Sequence, residues 1–435
     1  MSAKTFIKGT FILTLTGVVT RLLGFIFKII LSRIIGAEGI GLYQLVLPIC
    51  GIIYAIGISG FEVAISRLTA KYVAHKNPQK AFSILWISTI YSMILSLILC
   101  LIITKNSIWI AQTVFKNKNV APLIKTVVWS MPFSAIHCMI TSFCLGQQKT
   151  GFAGLSQLAE QLIRMSSVYF IIKITGKTDA SIGVLSLVIG EIGAAVISIN
   201  YILFATKKRE KTPLKLLSHY SKEIRKTALP VSLNKLSLAG IQSIETILIP
   251  IMLVKSGLSD INAIKTLGIL TGMALPVILF PSTLTNSVAL MLLPNVSAIT
   301  NQPKKLKTSG RYALMFSLIF GFVCIIFMLT LGAKICTIAF KEPAAEKYIK
   351  TLTWLCPFIF ISTTYKSMLN AIGKSSQILA NNMLSEAINI LFIILLIPSY
   401  GIMAYMYGLL ISQCANALLQ LGTYNKSVNK LLNNY

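Results

Sequence analysis

A stripe of small, polar and basic residues runs along the first apolar segment of the chain. Its members recur at steps of three or four residues, the spacing of one helical face, and are Thr10, Thr14, Gly17, Arg21, Gly24, Lys28 and Ser32. Arg21 lies about 12 residues into the segment, roughly 18 Å along a helix and near a bilayer midplane. Guanidinium and ammonium groups bind phosphate oxygens, the guanidinium by a two-pronged contact. The stripe therefore predicts a site for an anionic ligand. The alternative is that Arg21 pairs with a glutamate of a neighbouring helix.

Further charged and amide side chains fall inside other apolar segments, where burial is costly and each is a candidate for function. Candidate ligand-facing residues are Arg67, Lys235, Gln242 and Lys366; carboxylates that could couple to an ion or pair with a lysine are Glu191, Glu245 and Glu386. Arg67 lies toward one end of its segment, where a solvated interface residue is an equal alternative. Glu160 and Arg164 stand four residues apart, the spacing of an ion pair within one helix, and we interpret them as structural. His137 is interpreted as a packing residue.

No metal site or cofactor is predicted. The eight cysteines are scattered singly through apolar stretches and form no CxxC pair. Small apolar packing residues are the simplest interpretation of such cysteines.

The composition indicates an integral membrane protein. Apolar residues make up 55% of the 435 residues and charged residues 12%, and the mean hydropathy is +0.77. A soluble protein has about twice that share of charged residues. The net charge of +28 is spread over many loops, so contact with anionic membrane lipids explains it better than nucleic acid does.

The apolar segments predict an all-α integral membrane protein with about twelve transmembrane helices, because about 20 apolar residues cross a bilayer. The segments lie near 9–34, 42–70, 81–103, 121–145, 152–174, 181–206, 228–254, 264–299, 311–333, 346–371, 376–397 and 401–424. The second and eighth are too long for one straight helix. Pro276, Pro281 and Pro294 predict a kink or break in the eighth.

Two similar decapeptides occur in the chain, IKTVVWSMPF at 124–133 and IKTLTWLCPF at 349–358. Each copy opens the fourth span of its half, and a lysine follows its Trp by 20 residues, Lys149 after Trp129 and Lys374 after Trp354. Because six spans separate the copies, both cross the membrane in the same direction. The repeat predicts two six-helix lobes related by a pseudo-two-fold axis along the membrane normal.

The predicted domains are an N-terminal lobe at 1–206, a basic cytoplasmic linker at 207–227 and a C-terminal lobe at 228–435. With the N-terminus inside, the cytoplasmic side carries 21 Lys and Arg residues and the other side 13. Positive charge favours the cytoplasmic side. Both termini and the linker are therefore predicted to be cytoplasmic.

This orientation predicts that a cysteine placed at Ser218 is shielded from outside the cell. A Ser218→Cys variant should stay unmodified when whole cells are treated with a membrane-impermeant maleimide. The parent protein, which has eight cysteines of its own, is the control for background labelling. Ready labelling of intact cells at the new cysteine would reverse the topology.

Several stretches resemble a known family. The N-terminal block has the most specific ones, TFIKGT (5–10), VTRLLGF (19–25) and IGAEGIGLYQLVLP (35–48), and LGQQKTGFAGLSQLAEQLIR (145–164) and LPNVSAI (293–299) follow. They resemble the stage V sporulation protein B-like polysaccharide flippases of the multidrug/oligosaccharidyl-lipid/polysaccharide (MOP) exporter superfamily. The similarity extends through nearly the whole chain.

The resemblance implies a MATE-like fold of two six-helix lobes with a V-shaped central cavity. The family is similar to the lipid II flippases, in which basic residues of span one face the pyrophosphate of the lipid. The VTRLLGF block assigns that role to Arg21, and Lys28 takes the second basic position. Relatives usually have fourteen spans, two more than predicted here, and in lipid II flippases the extra helices help to form a groove for the lipid tail.

We therefore expect a multi-pass protein of the bacterial plasma membrane that is not an enzyme. It would move a polyprenyl-pyrophosphate-linked sugar, such as lipid II or a spore-cortex equivalent, between leaflets by alternating access. Its partners would be this anionic lipid-linked glycan, membrane lipids and cell-wall synthesis enzymes.

Three alternatives stay open. They are a flippase for a teichoic acid or capsule unit, a cation-coupled multidrug exporter and a non-transporting scaffold for wall synthesis. An exporter would need Glu191, Glu245 or Glu386 and could dispense with the basic residues of span one. A scaffold would tolerate neutralisation of every intramembrane charge.

Overall fold

The computed structural model describes residues 3–205 and 217–433 and is almost entirely helical, with no strand in these ranges. The predicted linker lies outside the described residues as far as residue 216. Its remainder forms the start of a helix that runs from Leu217 to Lys255.

The chain folds as two compact units. The first contains Met1–Ile35 and Leu42–Ile247, and the second contains Gly36–Gly41 and Leu248–Tyr435. The first unit includes most of the helix Leu217–Lys255, whose start overlaps the predicted linker. The lobe limits at 206 and 228 remain predictions.

Nine helices begin in the described residues up to 255. They are α1 (Ala3–Gly57), α2 (Ser59–Ala74), α3 (Pro78–Lys105), α4 (Ser107–Thr113), α5 (Val120–Val127), α6 (Ser130–Gly146), α7 (Thr150–Thr175), α8 (Ala180–Ala205) and α9 (Leu217–Lys255). Gly36 interrupts α1 with a kink at φ +68°, a conformation that glycine adopts without strain. The first unit has a core in which Ile65, Ile84, Met139 and Ile224 join α2, α3, α6 and α9.

The helices of the second unit are more broken. They are α10 (Asp260–Leu267), α11 (Leu275–Leu279), α12 (Ser282–Ala298), α13 (Pro303–Phe327), α14 (Ala333–Phe340), α15 (Ala344–Leu352), α16 (Leu355–Ala371), α17 (Ser375–Tyr400) and α18 (Ile402–Asn433), with π-helical turns at Gly268–Ala274 and Met328–Gly332. The break predicted in span eight is confirmed, since α11 ends before Pro281 and α12 begins after it. Gly41 and Gly268 allow two backbones to meet, because a Cβ on Gly268 would lie 2.6 Å from the Gly41 nitrogen.

Every predicted span falls on helix. Nine helical segments in the described ranges are long and apolar enough to cross a membrane. The nine segments are fewer than the twelve predicted spans in part because one segment, Thr14–Gly57, contains both span one and the start of span two. Span five, which carries Glu160 and Arg164, and span ten are helical in α7 and α16 but are not among the nine.

The repeated decapeptide adopts the same local structure twice. Trp129 and Trp354 each precede a 17-residue helix, with φ/ψ of −70°/−9° and −64°/−10°. Lys149 and Lys374 each precede a 26-residue helix, α7 and α17. This agreement supports the predicted superposition of the two halves, which remains a prediction for the lobes as wholes.

Candidate functional site

The basic stripe of α1 borders open space. From Thr14 onward its side chains are described: Arg21 is exposed, Lys28 is half-buried and Ser32 is buried. A Cβ added at Gly17 or Gly24 would meet no atom within 4 Å. The small residues of the stripe thus leave room beside the arginine and the lysine.

Packing contacts with α7 and α8 fix the orientation of α1 within the first unit. Thr16 packs directly on Gly154 of α7, where an added Cβ would lie 2.8 Å from the threonine methyl carbon. Leu31 is fully buried and packs on Gly183 of α8 in the same way, at 3.0 Å. Glycines at both contacts let helix backbones approach closely, a common packing mode in membranes. With these contacts in place, Arg21 is exposed and Lys28 is half-buried.

The other predicted ligand-facing residues occupy both units. Arg67 on α2 and Lys235 and Gln242 on α9 are exposed and belong to the first unit. Lys366 on α16 belongs to the second, where it is half-buried and interacts electrostatically with Glu386 of α17. Their assembly into one cavity with Arg21 stays a prediction.

The structure brings three of the predicted charged residues together within the first unit. The Arg164 guanidinium Nη2 contacts Glu160 Oε1, one turn away on α7, and lies 3.7 Å from Glu191 Oε1 on α8. His137 on α6 joins them, with its Nε2 atom 3.8 Å from Glu160 Oε2. We call these four residues the charged cluster. One guanidinium faces two carboxylates there, and the side chains of all three are at most 17% exposed.

Small residues and hydroxyls support the charged cluster. A Cβ at Gly190 of α8 would lie 3.1 Å from the Arg164 Cβ, so glycine is what allows α8 to pass this close to α7. Ser198 of α8 lies 2.9 Å from His137 Nδ1 and holds the ring on its other side. Arg164 Nε and Glu191 Oε2 are buried without a hydrogen-bond partner among the described residues. Buried polar atoms of this kind are uncommon and often mark a functional or hydrated interior.

Two polar groupings, one in each unit, escaped the sequence interpretation. His137 was expected only to pack, and its contact with Glu160 could not be seen because 23 residues separate them in sequence. An amide ladder between α17 and α18 was also missed. Its hydrogen bonds join Asn381, Asn382, Asn416, Gln420 and Thr423. Asn416 and Gln420 follow Ser412 at steps of four on α18, and this polar stripe was the available signal.

Glu245, the remaining predicted carboxylate, is half-buried on α9 of the first unit. It takes part in an interaction there. Its role in ion coupling or charge pairing stays a prediction.

Comparison with known proteins decides the family. A family model described as "Polysaccharide biosynthesis protein" matches residues 6–300, more than half of the chain. The chain belongs to the polysaccharide biosynthesis protein family. A second model, MatE, matches residues 249–395.

Two curated relatives come from Bacillus subtilis (strain 168). Stage V sporulation protein B is 25% identical over 440 residues, which cover 98% of this chain and 85% of the relative. The lipid II flippase MurJ is 24% identical over 341 residues, which cover 72% of this chain and 60% of that protein. The resemblance stated from the N-terminal block is thereby confirmed.

Among solved structures, the inward-facing conformation of a multidrug resistance MATE family transporter of the MOP superfamily matches with a TM-score of 0.71. The match is 16% identical in sequence and covers 96% of this chain and 99% of that one. It shows the fold, the all-α two-lobed arrangement of MATE transporters that the sequence predicted. This member of the polysaccharide biosynthesis protein family is thus a multi-pass membrane protein with the MATE transporter fold.

Proposed function

We propose that the protein is a flippase for a polyprenyl-pyrophosphate-linked sugar precursor. The leading substrate is a peptidoglycan or spore-cortex precursor such as lipid II. The head group would enter a cytoplasmic-facing cleft, bind Arg21 and Lys28, and leave on the other side as the lobes change conformation. No bond is made or broken in this process, so the protein would not be an enzyme.

The open face of α1 carries the proposal. Arg21 is exposed beside Gly17 and Gly24, and neither glycine has a neighbour that would obstruct even a methyl group. A charged side chain deep in a membrane span is costly unless it serves a ligand, a partner or a water-filled cavity. An exposed guanidinium beside such open positions can donate two parallel hydrogen bonds to a phosphate.

The family relationships support the same substrate class. The curated relatives include a sporulation protein and a lipid II flippase, both aligned with most of this chain. A lipid-linked glycan combines a pyrophosphate, which suits the basic stripe, with a prenyl tail that stays in the bilayer. The same chemistry would suit a lipid-linked teichoic acid or capsule unit, so the glycan itself must be found by experiment.

A transport assay on the purified protein tests the proposal. Proteoliposomes would be loaded in turn with fluorescent lipid II, a lipid-linked teichoic acid precursor and a labelled phosphatidylcholine, and the fraction in each leaflet followed with a membrane-impermeant quencher. We expect protein-dependent movement of at least one lipid-linked sugar and none of phosphatidylcholine. Absence of movement for every lipid-linked sugar, from protein that is folded and inserted, would refute the proposal.

A cation-coupled multidrug exporter is the second candidate, and the buried carboxylates of the charged cluster favour it. An exporter would need Glu191 for ion coupling but not Arg21 for substrate binding. Efflux of cationic dyes, measured for Glu191→Gln and for Arg21→Ala, separates the two functions. Dye efflux that fails only in Glu191→Gln would favour the exporter.

A further inference from the structure

A cleft separates α12 from α13 in the second unit, because α16 packs against both. Ser367 of α16 donates a hydrogen bond to the Ala289 carbonyl of α12. Tyr365, two residues earlier, donates one to the Gly310 carbonyl of α13 at 2.8 Å. On α13, Ser317 lies 3.1 Å from the Thr364 hydroxyl. With α16 holding each helix separately, a gap remains between the two.

This gap forms a cavity of about 560 Å³, here called the α12–α13 cleft. Its lining consists of Val288, Leu292, Lys304, Lys305, Thr308, Ser309, Tyr312, Ala313 and Phe316. The volume falls in the range of sites that hold small molecules. Both helices belong to the second unit, so the cleft is complete within it.

The α12–α13 cleft is amphipathic along its length. Lys304 and Lys305 stand at the start of α13, and the hydroxyl of Thr308 follows one turn later. Further along, the lining becomes apolar at Leu292 and Phe316. A ligand that fits must therefore be anionic at one end and apolar at the other.

Among the described residues, no ion pair neutralises the two lysines of the cleft. No Asp or Glu occurs anywhere between Ser282 and Phe327, although this stretch has three lysines and an arginine. In the ranges that the structure describes, the ion pairs involve neither Lys304 nor Lys305. Both side chains are exposed, so they can reach an incoming anion.

We propose that the α12–α13 cleft binds an anionic membrane phospholipid. The phosphate lies between Lys304 and Lys305, and one acyl chain follows Leu292 and Phe316. Basic pockets between transmembrane helices on the cytoplasmic side are established sites for anionic head groups. This assignment does not depend on which substrate the protein carries.

The surroundings favour a phospholipid over a soluble anion. On α13 beyond Phe316, Ile319 and Phe322 are 59% and 58% exposed, so the apolar end of the cleft continues onto a lipid-facing surface. The lysines precede this apolar region by three to four turns, and the charge count places their loop on the cytoplasmic side. Long lysine side chains can extend to the membrane interface from such positions.

Lipid binding to the purified protein tests the proposal. In detergent, phosphatidylglycerol should bind saturably in native mass spectrometry and raise the melting temperature, while phosphatidylcholine should do neither. The double variant Lys304→Gln/Lys305→Gln should bind phosphatidylglycerol about 30-fold more weakly, since each lysine near the surface adds about fivefold. Lys307→Gln on the same helix, whose side chain does not line the cleft, is the matched control and should bind as the parent does.

Two further measurements keep the proposal open to refutation. Phe316→Ala shortens the apolar wall without touching the charges and should weaken phosphatidylglycerol binding but not the weak binding of inorganic phosphate. Undecaprenyl phosphate is the competing lipid. The assignment is wrong if undecaprenyl phosphate binds the cleft while phosphatidylglycerol does not. It is also wrong if inorganic phosphate binds as tightly as the phospholipid, or if Lys307→Gln loses as much affinity as the double variant.

Discussion

Arg21→Ala should abolish movement of the lipid-linked sugar in proteoliposomes while the protein stays folded and inserted. The reason is geometric: Arg21 is exposed within the first unit and its neighbours Gly17 and Gly24 face open space, so its side chain contributes little to packing. Arg21→Lys should keep part of the activity, since the charge survives but the two-pronged contact with phosphate does not. Translocation rate and melting temperature would be measured on the same preparation.

Lys28→Ala provides a graded comparison. Lys28 lies two turns further along the same face and is half-buried, so its loss should slow transport less than the loss of Arg21. Thr14→Ala removes a hydroxyl from the stripe without changing charge and should be close to neutral.

The competing explanation for Arg21 is a structural ion pair with a glutamate. It predicts that Arg21→Ala melts at a lower temperature because a buried carboxylate loses its counter-ion. A Glu→Gln change at the partner would then restore both stability and transport. Such a rescue would show that Arg21 does not bind substrate.

Much of the fold could be predicted from sequence because its determinants are local or periodic. Apolar length located the helices, and Pro281 located the break between α11 and α12. The repeated decapeptide predicted that the helices after Trp129 and Trp354 would match. They have the same length, and the two Trp residues have similar backbone angles. The stripe of α1 followed from the helical repeat alone.

The remaining features depend on which helices become neighbours. The residue pattern of a single helix does not predict its neighbours. Glu191 meets Arg164 only because Gly190 lets α8 approach α7. The amides of α17 and α18 meet because those helices pack side by side, with Asn416 2% exposed and Gln420 fully buried. Sequence spacing predicted the ion pair of Glu160 with Arg164, but not the second carboxylate or His137.

The charged cluster leads to the second large effect, a loss of stability in Arg164→Ala. Arg164 contacts Glu160 and lies 3.7 Å from Glu191 Oε1, so its removal leaves two carboxylates near each other with only His137 beside them. Breaking a buried ion pair by removing one partner typically costs about 3–5 kcal/mol. We expect a fall of that order in the free energy of unfolding, measured by equilibrium unfolding in mixed micelles. Arg67→Ala, which removes an exposed arginine of the same unit, should change stability little.

Neutralising the carboxylates distinguishes a structural role from ion coupling. If the charged cluster only holds α7 against α8, Glu160→Gln/Glu191→Gln should restore most of the stability lost in Arg164→Ala. Replacing both carboxylates by amides removes the like-charge repulsion and keeps the side-chain volumes, whereas a single Glu191→Gln change should rescue in part. The restored protein should also carry substrate at close to the parent rate, because none of the three residues belongs to the basic stripe of α1. A restored but inactive protein would contradict the structural interpretation, and it would mean that the carboxylates exchange an ion during the transport cycle.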